Sequence, residues 1–399
     1  MEQHVWAGID AGKSEHHCVA IDTDGHRLLS HRVANDETAL CELLDQVLSL
    51  TGHGKVSWAI DLNHGGAALL ITLLLDRDQQ LLYIPGRTVH HAAGSYRGEG
   101  KSDAKDAAII ADQARMRRDL HPVRVGDETA VDLRLLTAHR TDLVCDRTRA
   151  INRLRALLLE YFPALERAFD YSTCKAALVL LTGYQTPDRI RRVGARRLEE
   201  WLQKNRVRTA SRVAHTAVEA ARAQHTRVPG QQVAAEMVAR LAKEVIALDT
   251  QIGETETQIE ARFRGHRHAP IILSMPRFGS ILGAEFLAAT GGDMTLFDSA
   301  DRLAGVAGLA PVPRDSGRVR GNLHRPRRYD RRLLRACYLS AMVSIRSCPE
   351  SRAYYDRKRT EGKRHTQAVL ALARRRLNVL WAMLRDGAVY RPTPTAAAA

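Results

Sequence analysis

The sequence predicts an α/β domain at the N-terminus followed by a mostly α-helical remainder. Short apolar segments alternate with helical segments up to about residue 125, and helical periodicity alone follows from Glu128 onward. The distribution of charge indicates a further division, because the whole net charge of +15 lies beyond residue 300, where there are 22 Lys+Arg and 7 Asp+Glu. We therefore expect domains over residues 1–125, 126–265 and 266–392, with a disordered tail over 393–399.

The first domain reads as strands and helices in a recognisable order. Strands are predicted over 4–10, 16–22, 27–33, 55–61 and 80–84, and helices over 36–50 and 66–75, with a further helix beginning at Ser102. Asp24-Gly25 is typical of a hairpin turn, and the composition of 86–100 indicates a loop. The β-β-β-α-β-α-β-α order is the pattern of a ribonuclease H-like fold.

The middle domain is predicted to be helical. Leucines and alanines from Leu133 to Leu157 recur at heptad-like spacing, interrupted by Arg140 and Arg147. Apolar positions from Leu241 to Ile259 alternate spacings of four and three, which is an a/d seam. A coiled coil and an ordinary helical hairpin within one chain explain this seam equally well. Residues 170–230 are polar and basic, and their role is not readable from the sequence.

The C-terminal domain begins with a predicted helix, tight turn and helix over 271–289. This helix-hairpin-helix-like element would present turn amides and a helix N-terminus to a DNA phosphate. A loop over 308–321 and helices over 329–346 and 366–384 follow. Because arginine forks match phosphate geometry, the basic excess of this region favours a nucleic-acid partner.

Composition excludes several other classes. No apolar stretch approaches the roughly 20 residues that cross a bilayer, and the N-terminus lacks a signal-peptide pattern. The six cysteines form no CxxC pair, so neither a zinc site nor a disulfide framework is indicated. We therefore expect a cytoplasmic, nucleoid-associated protein without a membrane partner.

Four acids form the first candidate site. Asp10 and Asp61 each end an apolar strand, while Asp103 and Asp106 share one face at the start of a helix. Each acid alone is more simply a turn, cap or first-turn residue. Together they predict a site for divalent metal ions on a phosphodiester, with Mg²⁺ expected and Mn²⁺ as the alternative.

Ser316 is the second candidate, in the segment Arg314-Asp-Ser-Gly-Arg-Val-Arg320. Its hydroxyl would need activation to act as a nucleophile, and a loop serine is more often a turn residue. Nearby arginines would neutralise a phosphate. The predicted nucleic-acid-binding residues are Arg277, Arg314, Arg318, Arg320, Arg325, Arg327 and Arg328.

These motifs resemble the insertion-sequence transposases of the IS-one-ten (IS110) family, the RNA-guided bridge recombinases, over nearly the whole chain. The N-terminal block comprises Gly8-Ile-Asp, Ala59-Ile-Asp-Leu-Asn, Tyr83-Ile-Pro-Gly and Lys101-Ser-Asp-Ala-Lys-Asp-Ala. The C-terminal block comprises Ser274-Met-Pro-Arg-Phe-Gly, Ala307-Gly-Leu-Ala-Pro and Ser316-Gly.

The resemblance implies a RuvC-like DEDD domain, a coiled-coil region and a C-terminal transposase domain. It implies that Asp10, Asp61, Asp103 and Asp106 bind metal, and that Ser316 attacks DNA to form a phosphoserine link. It further implies one composite active site drawn from different protomers, dimers that pair into a tetramer, and a structured bridge RNA that base-pairs with donor and target DNA.

Two positions depart from the family pattern. The second acid is usually Glu, whereas this chain has Asp61. The hairpin usually reads Pro-Gly-x-Gly, whereas here Arg277 replaces the first glycine. We expect the turn to form if Arg277 keeps a negative φ, and an added phosphate contact from Arg277 is an equal alternative.

Two alternatives to a serine recombinase remain open. One is a metal-dependent nuclease, such as a junction resolvase, in which Ser316 is only structural. The other is a non-catalytic nucleic-acid-binding relative, for which Asp61 is the only support in the sequence.

Overall fold

The computed structural model describes residues 4–52, 54–62, 65–96, 100, 102–123 and 127–392. The predicted tail over 393–399 lies outside these residues. The chain forms two compact units, residues 1–125 and 126–399. Further division of the second unit at residue 265 stays a prediction. No helix of the described ranges is both long enough and apolar enough to span a membrane.

The first unit combines a mixed sheet with helices. Its elements are β1 (Val5–Ala11), β2 (Glu15–Ile21), β3 (Arg27–Ala34), α1 (Glu37–Ser49), β4 (Val56–Ile60), α2 (Ala68–Asp76), β5 (Gln80–Tyr83), α3 (Gly86–Ala93), α4 (Asp103–Met116) and β6 (His121–Pro122). The predicted strands are present, and their ends shift by a residue or so. The predicted loop over 86–100 was wrong in part, because α3 occupies its first half.

Strand order in the sheet is β3-β2-β1-β4-β5-β6. β1 pairs antiparallel with β2 and parallel with β4, and β4 is parallel to β5. Side chains of β1 alternate between the two faces, so Ile9 packs with α1 and α2 while Gly8 faces α4. The Asp36 carboxylate caps α1 and the Ser102 hydroxyl caps α4, which fixes where both helices begin.

The second unit is almost entirely helical. Its elements are α5 (Glu128–Tyr161), α6 (Pro163–Ala168), α7 (Lys175–Gly183), α8 (Pro187–Lys204), α9 (Ala210–Arg222), α10 (Gln231–Gly265), α11 (Ala269–Ser274), α12 (Ser280–Thr290), α13 (Ala300–Val306), β7 (Val312–Pro313), β8 (Leu323–His324), α14 (Arg331–Ser344), α15 (Pro349–Thr360) and α16 (His365–Asp386). The predicted loop over 308–321 contains the start of a small hairpin, since β7 pairs with β8.

The predicted a/d seam of α10 is buried along α5 of the same chain. Arg140 and Arg147, which interrupt the apolar stripe of α5, form ion pairs with Glu256 and Asp249 on α10. Residue numbers rise on one helix as they fall on the other, so the two helices are antiparallel. The intrachain hairpin therefore accounts for the seam, and a coiled coil between protomers stays a prediction.

Two hydrophobic cores lie along this hairpin. One surrounds Leu154 and is completed by α6 to α9, and the other includes Leu133 of α5, Phe263 of α10 and the helices from α11 to α16. Residues 170–230, which had no readable role, thus build most of the first core.

Candidate active site

Three of the four predicted acids line one cleft in the first unit. Asp10 lies near the end of β1, Asp61 directly follows β4, and Asp106 lies in the first turn of α4. β1 and β4 are parallel neighbours with Ile9 opposite Ile60, so the two strands deliver their acids at the same edge. The cleft has a volume of about 690 Å³, and Lys105, His90 and Tyr96 also line it.

Gly8 allows α4 to approach β1 closely enough to complete this cleft. A Cβ atom at Gly8 would lie 2.3 Å from both the Ala107 carbonyl oxygen and the Ala111 amide nitrogen of α4. Only a residue without a side chain fits against the helix backbone at such a distance. Since Ala107 directly follows Asp106, this contact sets how near the α4 acids come to the end of β1.

Asp61 is half-buried and hydrogen-bonded to the backbone. Its Oδ1 accepts a hydrogen bond of 3.1 Å from the Ala11 amide. Burial raises the pKa of Asp61, the hydrogen bond from Ala11 opposes this, and the nearby negative charge of Asp106 raises it further. The protein thus holds two carboxylates close enough for their charges to interact, an arrangement that a bound cation would relieve.

Asp103 is held differently. Its Oδ2 lies 3.1 Å from Nη2 of Arg32 on β3, and Nη1 of the same arginine lies 3.3 Å from Glu15. Asp103 does not line the cleft. Across the described ranges, no three of the four predicted acids place carboxylate oxygens within 4.8 Å of one another. The structure therefore gathers Asp10, Asp61 and Asp106, and pairs Asp103 with an arginine.

The acids that line the cleft fit a hard divalent cation by donor type, because carboxylate oxygens are the ligands such ions prefer. A tighter group of Asp22, Asp24 and His26 lies in the β2–β3 turn. There Asp22 accepts hydrogen bonds from the amides of Asp24 and His26, so this group stabilises its own turn.

Ser316 lies beyond the paired strands, toward the tip of the β7–β8 hairpin in the second unit. Ser316 and Val319 exchange two backbone hydrogen bonds of 3.0 Å, and the Arg314 amide donates to the Asn322 carbonyl at 2.8 Å. The Asp315 carboxylate accepts from the Asn322 amide at 3.0 Å. Backbone pairing thus orders the turn while the Ser316 side chain stays exposed.

Exposed arginines surround this hairpin in sequence: Arg314, Arg318, Arg320, Arg325, Arg327 and Arg328. Arg325 lies over the ring of Tyr329, 5.3 Å from its centroid, and donates to the Tyr329 hydroxyl at 2.9 Å. The exposure and the positive charge of these arginines suit binding to a phosphate backbone.

Arg277 departs from expectation. Its φ is +61°, so the condition of a negative φ was wrong, and the turn forms with Arg277 in the left-handed region. The side chain is exposed, and its Nε donates to the Ser347 hydroxyl at 2.6 Å. The neighbouring Pro276 carbonyl accepts a hydrogen bond of 2.5 Å from Arg376, which is 7% exposed. A buried arginine on α16 therefore holds the turn that presents Arg277.

Sequence patterns did not identify several of these residues. Arg32 belongs to no motif. Gly8 belongs to the Gly8-Ile-Asp motif, but the sequence does not indicate its close approach to α4. Arg376 interrupts an apolar helix face without a partner visible in the sequence. The sequence pattern of the histidines suggests surface or phosphate contacts, yet His16 and His266 are buried. His266 lies 2.8 Å from Asp127, at the start of α5.

Comparison with known proteins covers both regions. A family model described as "Transposase", of the DEDD type, matches residues 7–163, and the model of the "Transposase IS116/IS110/IS902 family" matches residues 269–356. The cleft acids lie in the first match, and Ser316 lies in the second.

Relatives are similar along the whole chain. An "uncharacterized 42 kDa protein" of insertion element IS900 from Mycobacterium paratuberculosis is 71% identical over all of both chains. A 44.8 kDa protein of insertion element IS116 from Streptomyces clavuligerus is 51% identical over 98% of this chain and 97% of the relative. A "putative transposase for IS117" from Streptomyces coelicolor is 30% identical over 94% and 92%. With both family models matched in order and relatives aligned from end to end, the chain belongs to the IS110 family of insertion-element transposases, enzymes that act on DNA.

Proposed function

We propose that this transposase cuts and rejoins DNA strands of a mobile element through a covalent phosphoserine intermediate on Ser316. The observation that carries the proposal is an exposed serine toward the tip of a backbone-paired hairpin, among exposed arginines, in a region that matches a transposase family. The hydroxyl is thus open to a phosphodiester, and the flanking guanidinium groups suit its charge.

In the proposed step, the Ser316 oxygen forms a bond to phosphorus while the bond from phosphorus to one strand end breaks. Ser316 gives up its proton, and the released strand end gains one. One ester replaces another, so a second strand end rejoins the DNA by the reverse reaction without an external energy source.

The second part of the proposal concerns the acids. We propose that Asp10, Asp61, Asp103 and Asp106 belong to a RuvC-like domain. The strand order of the sheet and the close packing of α4 on β1 at Gly8 support this proposal. These carboxylates would hold Mg²⁺, with Mn²⁺ as the alternative, and the metal would supply charge stabilisation at the phosphate. Arg32 would have to release Asp103 for that acid to take part.

The third part concerns partners. We propose that a bridge RNA base-pairs with donor and target DNA, which leaves the protein to recognise backbone charge and shape. Self-association into dimers and tetramers belongs to the same proposal. The resemblance to RNA-guided relatives supports both, and the arginine-rich C-terminal region is compatible with either nucleic acid.

Covalent trapping tests the central claim. Purified protein, RNA transcribed from the flanking element, Mg²⁺ and end-labelled donor and target DNA are resolved on a denaturing gel. We expect a protein–DNA adduct that Ser316→Ala and Asp10→Asn abolish. Ser49→Ala and Asp45→Asn, exposed positions on α1, serve as matched controls and should keep the adduct.

Other outcomes distinguish the alternatives. Cleavage that persists in Ser316→Ala without any adduct identifies a metal-dependent nuclease. DNA binding in EDTA, with no cleavage once Mg²⁺ and the RNA are added, identifies a non-catalytic relative. Peptide mapping of a trapped adduct to a residue other than Ser316 would also overturn the assignment.

A further inference from the structure

The α8–α9 hairpin carries a concentrated positive charge outside both sites described above. Residues 187–230 hold eleven Lys+Arg, ten of them arginine, against four Asp+Glu, a net charge of +7. Because the first 300 residues are neutral as a whole, the rest of that stretch is net negative. The hairpin is therefore a local basic surface on a chain that is otherwise acidic up to residue 300.

The centre of this surface is the turn between the two helices. Lys204, Arg206, Arg208 and Arg212 lie within nine residues that contain no acid, and all four are exposed. None of them forms an ion pair within the part of the chain that the structure describes. We call these four residues the basic turn.

Neighbouring cations behave differently. Arg191 pairs with Asp188, and Arg196 lies 3.2 Å from Glu200 on the same helix. Two of the five arginines of α8 are thus paired with acids of the same helix, whereas the nine residues that hold the basic turn contain no acid.

The backbone of the basic turn adds a second observation. Helix α8 ends with the Arg206 amide donating to Gln203 and the Val207 amide donating to Leu202, at 2.9 and 3.0 Å. This is the Schellman arrangement, in which the residue equivalent to Arg206 is usually glycine because it takes a positive φ. Arg206 has a φ of +60°. An arginine therefore occupies a place where glycine would be less strained, and strain of this kind points to a role for the side chain.

The turn is also fixed in position. Val207 packs against the first core of the second unit, and Ala210, at the start of α9, is buried in it. Charged side chains on a rigid support lose less entropy on binding than the same side chains on a mobile loop.

We propose that the basic turn is a second DNA-binding surface, which holds the phosphate backbone of a duplex without reading its sequence. Its ligand class is the DNA on which this family acts, and the four side chains supply charge and forked donors without base-specific groups. The proposal rests neither on Ser316 nor on the metal-binding acids, and it assigns a function to a segment whose role the sequence left open.

The test measures binding of a fluorescein-labelled duplex of random sequence to the full chain. Every protein carries Ser316→Ala and EDTA is present, so that cleavage does not contribute. Loss of each phosphate contact should raise Kd by about tenfold near 0.1 M salt and lower the slope of log Kd against log salt by about 0.9. We expect both changes for Arg208→Ala/Arg212→Ala, and clearly smaller changes for Arg196→Ala, whose side chain is paired with Glu200.

Arg206→Gly makes the test specific. This substitution removes the proposed phosphate contact of Arg206 and also the strain of its positive φ. We therefore expect weaker DNA binding together with a melting temperature higher by about 2 °C. A purely structural arginine would not separate affinity from stability in this way. Unchanged Kd and salt slope in the double variant would overturn the proposal. So would a loss confined to an RNA hairpin competitor, which would assign the surface to RNA.

Discussion

The guanidinium group of Arg32 lies 3.1 Å from the Asp103 carboxylate, so one of the four predicted metal-binding acids is paired with an arginine. Both side chains are more than half exposed, and exposed pairs of this kind contribute at most about 1 kcal/mol. The pair is therefore weak enough to exchange for a metal ion. We expect it to set the metal concentration at which the site fills.

Arg32→Gln tests that competition. Removing the arginine should leave the free energy of unfolding within about 1 kcal/mol of the parent and lower the metal concentration for half-saturation. Calorimetric titration with Mn²⁺ measures the change directly. Arg77→Gln, which breaks the exposed pair with Asp45, is the control and should leave metal affinity unchanged. Weaker metal binding in Arg32→Gln would instead make the arginine a positioning residue for Asp103.

Asp61 supplies a second prediction. Since burial and the charge of Asp106 both raise its pKa, the ionised carboxylate is less favourable in the metal-free folded protein than in the unfolded chain. Asp61→Asn should therefore raise the melting temperature without metal and remove the further rise that Mg²⁺ gives the parent. Asp61→Glu restores the acid usual in the family and should retain both metal stabilisation and cleavage. Equal responses of the parent and Asp61→Asn to Mg²⁺ would exclude Asp61 as a ligand.

Gly8 provides a prediction about packing. Gly8→Ala places a Cβ 2.3 Å from backbone atoms of α4, which cannot move without displacing the helix. We expect the first unit to lose about 3 kcal/mol or more of stability, measured by urea denaturation. Gly253→Ala, with open space around it in α10, should instead be neutral or stabilising by up to about 1 kcal/mol. A well-folded Gly8→Ala with normal metal binding would contradict the role given to this contact.

Asp127 and His266 predict a dependence of stability on pH. Asp127 caps α5 through Oδ1, while its Oδ2 lies 2.8 Å from Nε2 of His266. The His268 amide donates to Nδ1 of His266, so Nε2 carries the proton. Burial acts to raise the pKa of Asp127, but the interaction with His266 and the hydrogen bonds that Asp127 accepts bring it below its ordinary value of 3.8. The stabilisation is therefore present above pH 3.8 and is lost as pH falls through the lower folded pKa.

Asp127→Asn isolates this effect, because asparagine retains the helix cap. We expect lower stability than the parent at pH 7 and a difference that shrinks below pH 3.8. Asp127→Ala should cost about 1 kcal/mol more, since it also loses the cap. Urea denaturation between pH 7 and pH 3 measures both. A difference between parent and Asp127→Asn that does not vary with pH would contradict the assignment.

Local patterns predicted most of the elements but not their long-range contacts. The strands of the first unit follow from short apolar runs, and the beginning of α4 near Ser102 was predicted, although its cap is Ser102 rather than Asp103. The sequence also predicts that Asp10 and Asp61 lie at one cleft, because neighbouring parallel strands such as β1 and β4 end at the same edge of the sheet. The pairing of Asp103 with Arg32 joins residues 71 apart, which no local pattern encodes.

The middle of the chain shows the same limit. A seam with spacings of four and three indicates a helical partner without indicating which helix. The structure shows that the partner is α10, because the basic side chains that interrupt the apolar stripe of α5 form ion pairs with Glu256 and Asp249. Likewise Arg277 takes a positive φ in a turn whose Pro276 carbonyl is held by Arg376, 100 residues after Pro276 in the sequence.

The long hairpin of α5 and α10 also fixes the spacing between residues of the two hydrophobic cores of the second unit. Leu133 belongs to the core that supports the Ser316 region, and Leu158 belongs to the core that supports the basic turn. At a rise of about 1.5 Å per residue, the 25 residues from Leu133 to Leu158 span about 38 Å along the helix, slightly more than one turn of B-form DNA. A duplex that contacted both regions along this hairpin would present nearly the same face to each of them. Its protected phosphates should then recur at an interval of about ten base pairs.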